Sequence, residues 1–222
     1  MRFRIDLKLF IFLILFYFTK QIEIYGLIML FAFIHELGHL LAGILLGMKP
    51  EKLEIMPFGI SISFKINATD YNKKIKKGNR LEIKKIIVAL AGPVTNFIII
   101  LITANLKIDI IKGITIIYTN LIIMLFNLLP IFPLDGGRIL KGILYINFGK
   151  RKAEDYINDI TIISTIIATA LASILILYLK NISIFLIIMY LWYLVLKEND
   201  MYKKRKKLYK QIVEINNQNT WK

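Results

Sequence analysis

The two histidines of this 222-residue chain, His35 and His39, lie four residues apart with Glu36 between them. On a helix, residues i and i+4 share a face, so both imidazoles can bind one metal ion. Zinc lowers the pKa of a bound water to about 7, and a carboxylate beside that water can take its proton. The spacing therefore predicts a zinc hydrolase centre, with Glu36 as the base that takes the proton.

The surroundings of the histidines bear on whether they bind metal. In a soluble core, a lone buried histidine is usually a packed, hydrogen-bonded residue. Here both histidines fall in the apolar run of residues 27–48. Ionisable groups in a bilayer are costly, about 2.5 to 3.5 kcal/mol for a central aspartate, and by default they are functional. The apolar context therefore favours the metal site.

Composition indicates an integral membrane protein. Hydrophobic residues make up 57% of the chain and the mean hydropathy is +0.62, with long apolar blocks separated by basic loops. Because the chain has no cysteine, any metal must be bound through His, Asp or Glu. We expect an all-α polytopic protein in the lipid bilayer, with a short β-hairpin-like insert at residues 52–66 near the cytoplasmic face.

Apolar segments predict about six transmembrane helices. They are residues 7–18, 27–48, 86–106, 110–131, 160–179 and 182–196. With six spans, 26 of the 30 Lys and Arg residues fall on one side, which predicts cytoplasmic termini in a bacterial cell membrane. The same distribution explains the net charge of +15 without nucleic acid. It makes residues 197–222 a basic cytoplasmic tail on anionic lipid.

Asp135 is the carboxylate best placed to complete the metal site. It follows the span 110–131, in a run with two prolines and two glycines. These residues stop a helix and free the backbone to turn the carboxylate back toward the bundle. The alternative is a helix-ending turn in which Asp135 only caps the next segment. The histidine motif favours metal ligation.

Two motifs together resemble the site-two protease family, the intramembrane zinc metalloproteases. They are H-E-L-G-H at residues 35–39 and N-x-x-P-x-x-P-L-D-G at residues 127–136. M-P-F-G at residues 56–59 and A-G-P at residues 91–93 further resemble the sporulation branch, which processes pro-sigma-K. The resemblance makes residues 1–196 an intramembrane metalloprotease domain.

The resemblance implies one zinc ion per chain, held by His35, His39 and Asp135, with Glu36 as the catalytic residue. It also implies substrate-binding or site-supporting roles for four residues, Asn96, Asn127, Pro130 and Gly136. A PDZ or CBS domain, found in some relatives, is not expected, because the insert at residues 49–85 and the tail are too small.

The implied activity is hydrolysis of a peptide bond in a membrane-associated regulatory protein, such as a pro-sigma factor during sporulation, with inhibitory membrane proteins as candidate partners. Two other classes stay open. A membrane zinc transporter needs a polar path to both faces, whereas the external half of the spans is almost uniformly apolar. A proteolytically inactive regulator of the same fold would lack a ligand, yet both histidines, Glu36 and Asp135 are present.

Overall fold

The computed structural model describes residues 2–5, 22–56, 59–65, 75–106, 110–180 and 182–219, with scattered residues between 7 and 20. The predicted span 7–18 therefore lies largely outside the described residues. The elements are, in chain order, β1 (Arg2–Ile5), α1 (Ile22–Leu45), β2 (Lys49–Met56), β3 (Gly59–Lys65), α2 (Ile75–Asn105), α3 (Ile110–Asn127), α4 (Asp135–Phe148), α5 (Lys150–Leu179) and α6 (Ile182–Asn219).

The helices form a bundle around α2, which packs against α1, α3 and α4, while α5 packs against α4 and α6. Among the described residues, α1, Asn79–Asn105 of α2 and Lys150–Tyr178 of α5 are long and apolar enough to cross a membrane, and α3 is apolar but shorter. Outward-facing side chains such as Ile122 and Ile174 are 63% and 64% exposed. Apolar surface of this kind indicates a membrane protein.

Two helices extend well beyond the apolar spans that hydropathy predicts. Helix α2 begins at Ile75, before the predicted span 86–106, and Lys84 Nζ in this extension donates to the Leu46 carbonyl, 2.7 Å away, just beyond α1. Helix α6 continues from the predicted span 182–196 to Asn219. Both extensions are rich in lysine, a good helix former, and contain no proline. Hydropathy detects the apolar part of a helix, so it does not locate such ends.

The predicted hairpin is present as β2 and β3, which pair antiparallel with Lys49 opposite Lys65. Strand β1 adds to it, parallel to β2, and makes a three-stranded sheet in the order β1, β2, β3. Sequence patterns do not predict β1, because a four-residue strand carries little periodic signal and its partner is distant in sequence. The ring of Phe64 lies on Gly43, where a Cβ would be 2.2 Å from the ring. This contact attaches the sheet to α1.

The segment between α3 and α4 is held by the last two helices. Ile131 is fully buried and packs against Leu191 of α6. The Phe132 N–H donates to Thr161 Oγ1 of α5 over 3.0 Å. These contacts fix the segment that leads into Asp135, the first residue of α4.

Helices α1 and α2 approach closely at Gly38. A Cβ at this position would lie 2.1 Å from Thr95 Oγ1 and 3.0 Å from the Ala91 carbonyl oxygen. Real Cβ atoms do not come so close to other atoms, so glycine permits this helix contact. Gly38 lies between His35 and His39, and the contact therefore sets how near the two imidazoles come to α2.

We expect Gly38→Ala to lower the free energy of unfolding by about 1 to 3 kcal/mol, because the added methyl overpacks the α1–α2 contact. Gly26→Ala, on the same helix with nothing within 4 Å of the added methyl, is the matched control and should not destabilise the protein. Thermal unfolding in detergent micelles measures both. Removing the nearest colliding atom with Thr95→Ala should recover part of the loss. Equal behaviour of the two glycine variants would contradict this packing.

Candidate active site

Three potential metal ligands converge between α1 and the start of α4. Nε2 of His35 and Nε2 of His39 each lie 3.0 Å from Asp135 Oδ2, and 3.1 Å from one another. All three side chains are buried. The structure thus brings together the three residues that the sequence predicted as ligands, two of them on one helix face and the third from a distant segment.

The spacing and surroundings of these atoms fit a zinc ion. Ligand atoms about 2.0 to 2.2 Å from a tetrahedral zinc lie roughly 3.3 Å from one another, close to the observed 3.0 to 3.1 Å. Gly92 of α2 keeps the space beside them free, since a Cβ there would lie 2.4 Å from His39 Nε2 and 2.5 Å from His35 Nε2. Two imidazoles and one carboxylate with a fourth position left open are a donor set of catalytic zinc sites.

Outer hydrogen bonds orient both imidazoles. His35 Nδ1 donates to Asn96 Oδ1 over 2.5 Å, and His39 Nδ1 donates to the Val88 carbonyl over 2.6 Å. The Gly92 backbone nitrogen also lies 3.3 Å from His39 Nδ1. A protonated ring nitrogen cannot accept a further hydrogen bond, so the shorter contact with the carbonyl decides the tautomer. Both Nε2 lone pairs are then left for a metal.

Glu36 lies beside the ligands and faces a cavity of about 340 Å³. The cavity is walled by α2, α4 and α5, and by Phe64 of the sheet. Its charged lining residues, other than Glu36, are Glu82, Lys85, Arg138, Lys141, Lys150 and Glu154. A carboxylate at this position can exchange a proton with a molecule that enters the cavity and reaches the ligand atoms.

The charged lining is partly paired. Arg138 Nη1 lies 3.7 Å from Asp135 Oδ1, the carboxylate oxygen that does not face the imidazoles. Burial lowers the pKa of the Lys141 ammonium, and the Glu154 carboxylate opposes this shift. Lys85 Nζ lies 2.7 Å from Glu82 Oε1. The cavity lining therefore carries charged side chains of both signs beside apolar ones.

Three further residues were predicted to bind substrate or support the site, and they lie in or next to the segment between α3 and α4. Asn127 Nδ2 donates to the Ile123 carbonyl within α3, and among the described residues it makes no hydrogen bond to the three ligands. Pro130 is exposed in the segment before α4. Gly136 packs on the Leu128 carbonyl, where a Cβ would be 2.2 Å from the oxygen. A substrate contact for these residues stays a prediction.

Three groups near the site were missed by sequence reasoning. Asn120 Oδ1 of α3 accepts from Asn96 Nδ2 over 2.9 Å, and a lone amide in an apolar span was a usable signal. Gly92 belongs to the A-G-P motif, but its proximity to the imidazoles depends on how α1 packs on α2. The Val88 carbonyl is a backbone group and leaves no signal in the sequence.

Comparison with known proteins gives the class. Peptidase family M50 matches residues 24–111 and 104–171. A site-2 protease structure from Methanocaldococcus jannaschii superposes with a TM-score of 0.59 at 26% identity, covering 87% of this chain and 88% of that one. The chain belongs to peptidase family M50, and its fold is similar to that of a site-2 protease.

Two curated proteins are similar to this chain in sequence. A zinc metalloprotease of Methanocaldococcus jannaschii is 35% identical over 167 residues, 72% of this chain and 43% of the relative. Stage IV sporulation protein FB of Bacillus subtilis is 29% identical over 117 residues, 51% of this chain and 37% of the relative. The chain spans less than half the length of these relatives.

We expect Gly92→Ala to abolish stoichiometric zinc binding, because the added methyl would collide with both Nε2 atoms. Metal content of the purified protein, measured by mass spectrometry, tests this. Gly113→Ala on α3, where nothing lies within 4 Å of the added methyl, is the control and should retain zinc. A Gly92→Ala protein that binds as much zinc as the control would show that the ion does not lie between the imidazoles.

Proposed function

We propose that the chain is an intramembrane zinc metalloprotease that hydrolyses a peptide bond in a membrane-associated regulatory protein. The observation that carries this proposal is the convergence of His35 Nε2, His39 Nε2 and Asp135 Oδ2 beside the cavity that Glu36 lines. A purely structural cluster would not need an open cavity next to its ligand atoms. A hydrolase does, because a peptide must reach them.

Zinc binding and proton transfer are assigned to different residues. His35, His39 and Asp135 would hold one zinc ion, which polarises the scissile carbonyl and lowers the pKa of a water when bound. Glu36 would take a proton from the attacking water and return it to the leaving amine. The hydrogen bonds of both Nδ1 atoms keep the imidazoles oriented through this cycle.

A peptide that enters the cavity must be extended at the bond that is cleaved. A helix hides its amides in internal hydrogen bonds, so some unwinding must precede attack on its backbone. Lys85, Arg138, Lys141 and Lys150 line the cavity together with Glu36, Glu82 and Glu154, so the lining offers charged partners to both acidic and basic groups of a peptide. Asn127 and Pro130 lie in or next to the segment leading into Asp135, where they could contact the peptide.

The likeness to the sporulation relative supports a pro-sigma factor as the first substrate to test. Inhibitory membrane proteins would then be partners that regulate cleavage. The bias of positive charge supports termini on the cytoplasmic side of the cell membrane, the tail at residues 197–222 included. Cleavage would take place near that face, where a transcription factor precursor is accessible.

We expect Glu36→Gln to lose cleavage by roughly 100-fold to 10,000-fold while retaining zinc, because an amide cannot take a proton from water. Co-expression with a panel of pro-sigma precursors and membrane-bound anti-sigma factors, followed by immunoblot, measures cleavage. Glu23→Gln, an exposed acid on the same helix, is the matched control and should cleave like wild type.

Each outcome of this experiment separates the proposal from its alternatives. Cleavage that persists in Glu36→Gln would contradict the assigned role of this residue. A wild type that binds zinc and cleaves no substrate in the panel would favour an inactive regulator. Movement of zinc into sealed vesicles that contain the protein would favour a transporter.

A further inference from the structure

Two asparagines lie side by side in the bundle, on helices that flank the metal ligands. Asn96 of α2 and Asn120 of α3 are both 0% exposed. A buried amide without partners is destabilising, so such side chains are normally hydrogen-bonded. Both asparagines satisfy this rule in one continuous chain of hydrogen bonds that ends on a predicted ligand.

The chain starts at a backbone carbonyl and ends at an imidazole. Asn120 Nδ2 donates to the Ile116 carbonyl over 2.9 Å. Asn96 Nδ2 donates to Asn120 Oδ1, also over 2.9 Å. His35 Nδ1 then donates to Asn96 Oδ1 over 2.5 Å. Every step joins one donor to one acceptor.

The direction of this chain follows from its first member. A backbone carbonyl can only accept, so the amide of Asn120 must turn its nitrogen to Ile116 and its oxygen to Asn96. Asn96 must then offer its nitrogen to Asn120 and its oxygen to His35. Facing an oxygen that can only accept, His35 Nδ1 must carry the proton. In the neutral imidazole, which is the form that binds a metal, Nε2 is then unprotonated.

We infer that Asn120 is a positioning residue for the metal site, which selects the metal-binding tautomer of His35 through the orientation of the Asn96 amide. Among the residues that the structure describes, the hydrogen bonds of Asn120 go to Asn96 and Ile116, not to a ligand, and Asn120 does not line the cavity. The consequence for zinc rests on the proposed function. His39 needs no such chain, because the Val88 carbonyl orients it directly.

Without the acceptor at position 120, the Asn96 side-chain amide can flip and exchange the positions of its oxygen and nitrogen. The Asn96 nitrogen can then face His35 Nδ1, which favours the tautomer with the proton on Nε2, where it competes with zinc. Outer hydrogen bonds of this kind typically change metal affinity by about 10-fold to 100-fold. We expect Asn120→Leu, of similar size and without polar atoms, to weaken zinc binding by that factor.

Asn120→Asp is the conservative variant. A neutral carboxylic acid can donate its hydroxyl to the Ile116 carbonyl and accept from Asn96 with its other oxygen. Zinc affinity should therefore stay within a few-fold of wild type. Asn105→Leu is the control for the exchange itself, since exposed Asn105 makes the same kind of bond to a carbonyl one turn back, from Nδ2 to Leu101, far from the ligands.

A double-mutant cycle tests whether Asn120 acts through Asn96. In Asn96→Asp both side-chain oxygens can accept from His35, so the orientation of the side chain no longer matters. Adding Asn120→Leu to this variant should cause no further loss of zinc affinity. A residue that only supports packing would lower zinc affinity by the same factor in both backgrounds.

The measurement is competition for zinc between a chelator and the purified full-length chain, with the unfolding temperature of each variant recorded beside it. The inference is overturned if Asn120→Leu binds zinc like wild type, if Asn120→Asp loses as much as Asn120→Leu, or if the loss is unchanged in the Asn96→Asp background. A wild type that binds no zinc would overturn the proposed function as well. The two failures are thereby distinguishable.

Discussion

The carboxylate of Asp135 is the group on which the arrangement of the helices depends. A buried charge without partners is strongly destabilising. Here Arg138 lies 3.7 Å from one oxygen, and the two Nε2 atoms lie 3.0 Å from the other, as ligands that share one cation would. The imidazoles come from α1 and the carboxylate from α4, so these helices must keep their relative position. Contacts of Ile131 and Thr161 with the last two helices hold the segment that leads into α4. Helices remote from the ligands thus take part in positioning them.

Close approach of backbones gives this site its dimensions. Gly38 lets α1 contact α2, and Gly92 leaves room for the two ring nitrogens that α1 presents to α2. Side chains at either position would separate the ligands from the hydrogen-bond partners on α2. The sheet is attached to the same helix through Phe64 on Gly43. The cavity wall and the ligands therefore share α1 as a common support.

The protons of the site are arranged by groups that can only accept hydrogen bonds. The Val88 carbonyl orients His39 directly, and the Ile116 carbonyl orients His35 through two asparagines. Water could satisfy the same ring nitrogens at an exposed site, but it would not select one tautomer. In a bundle whose outer faces are apolar, internal polar groups must find partners within the protein. The same hydrogen bonds thus satisfy the buried polar groups and select the imidazole tautomers that can bind a metal.

The sequence by itself determined the groups available for chemistry and the solvent around them. Spacing of i and i+4 put His35 and His39 on one helix face, and alternation predicted the hairpin. Composition indicated a membrane. None of these three signals depends on contacts between distant segments. Tertiary structure decided what depends on distant contacts: the pairing of β1 with β2, the early start of α2, the space kept by Gly92 and the bond between Asn96 and Asn120. The motif predicted Asp135 as a ligand, but only the packing of α4 brought its oxygen to the imidazoles. Hydropathy and periodicity report one segment at a time, whereas these features depend on pairs of segments that meet only in the fold.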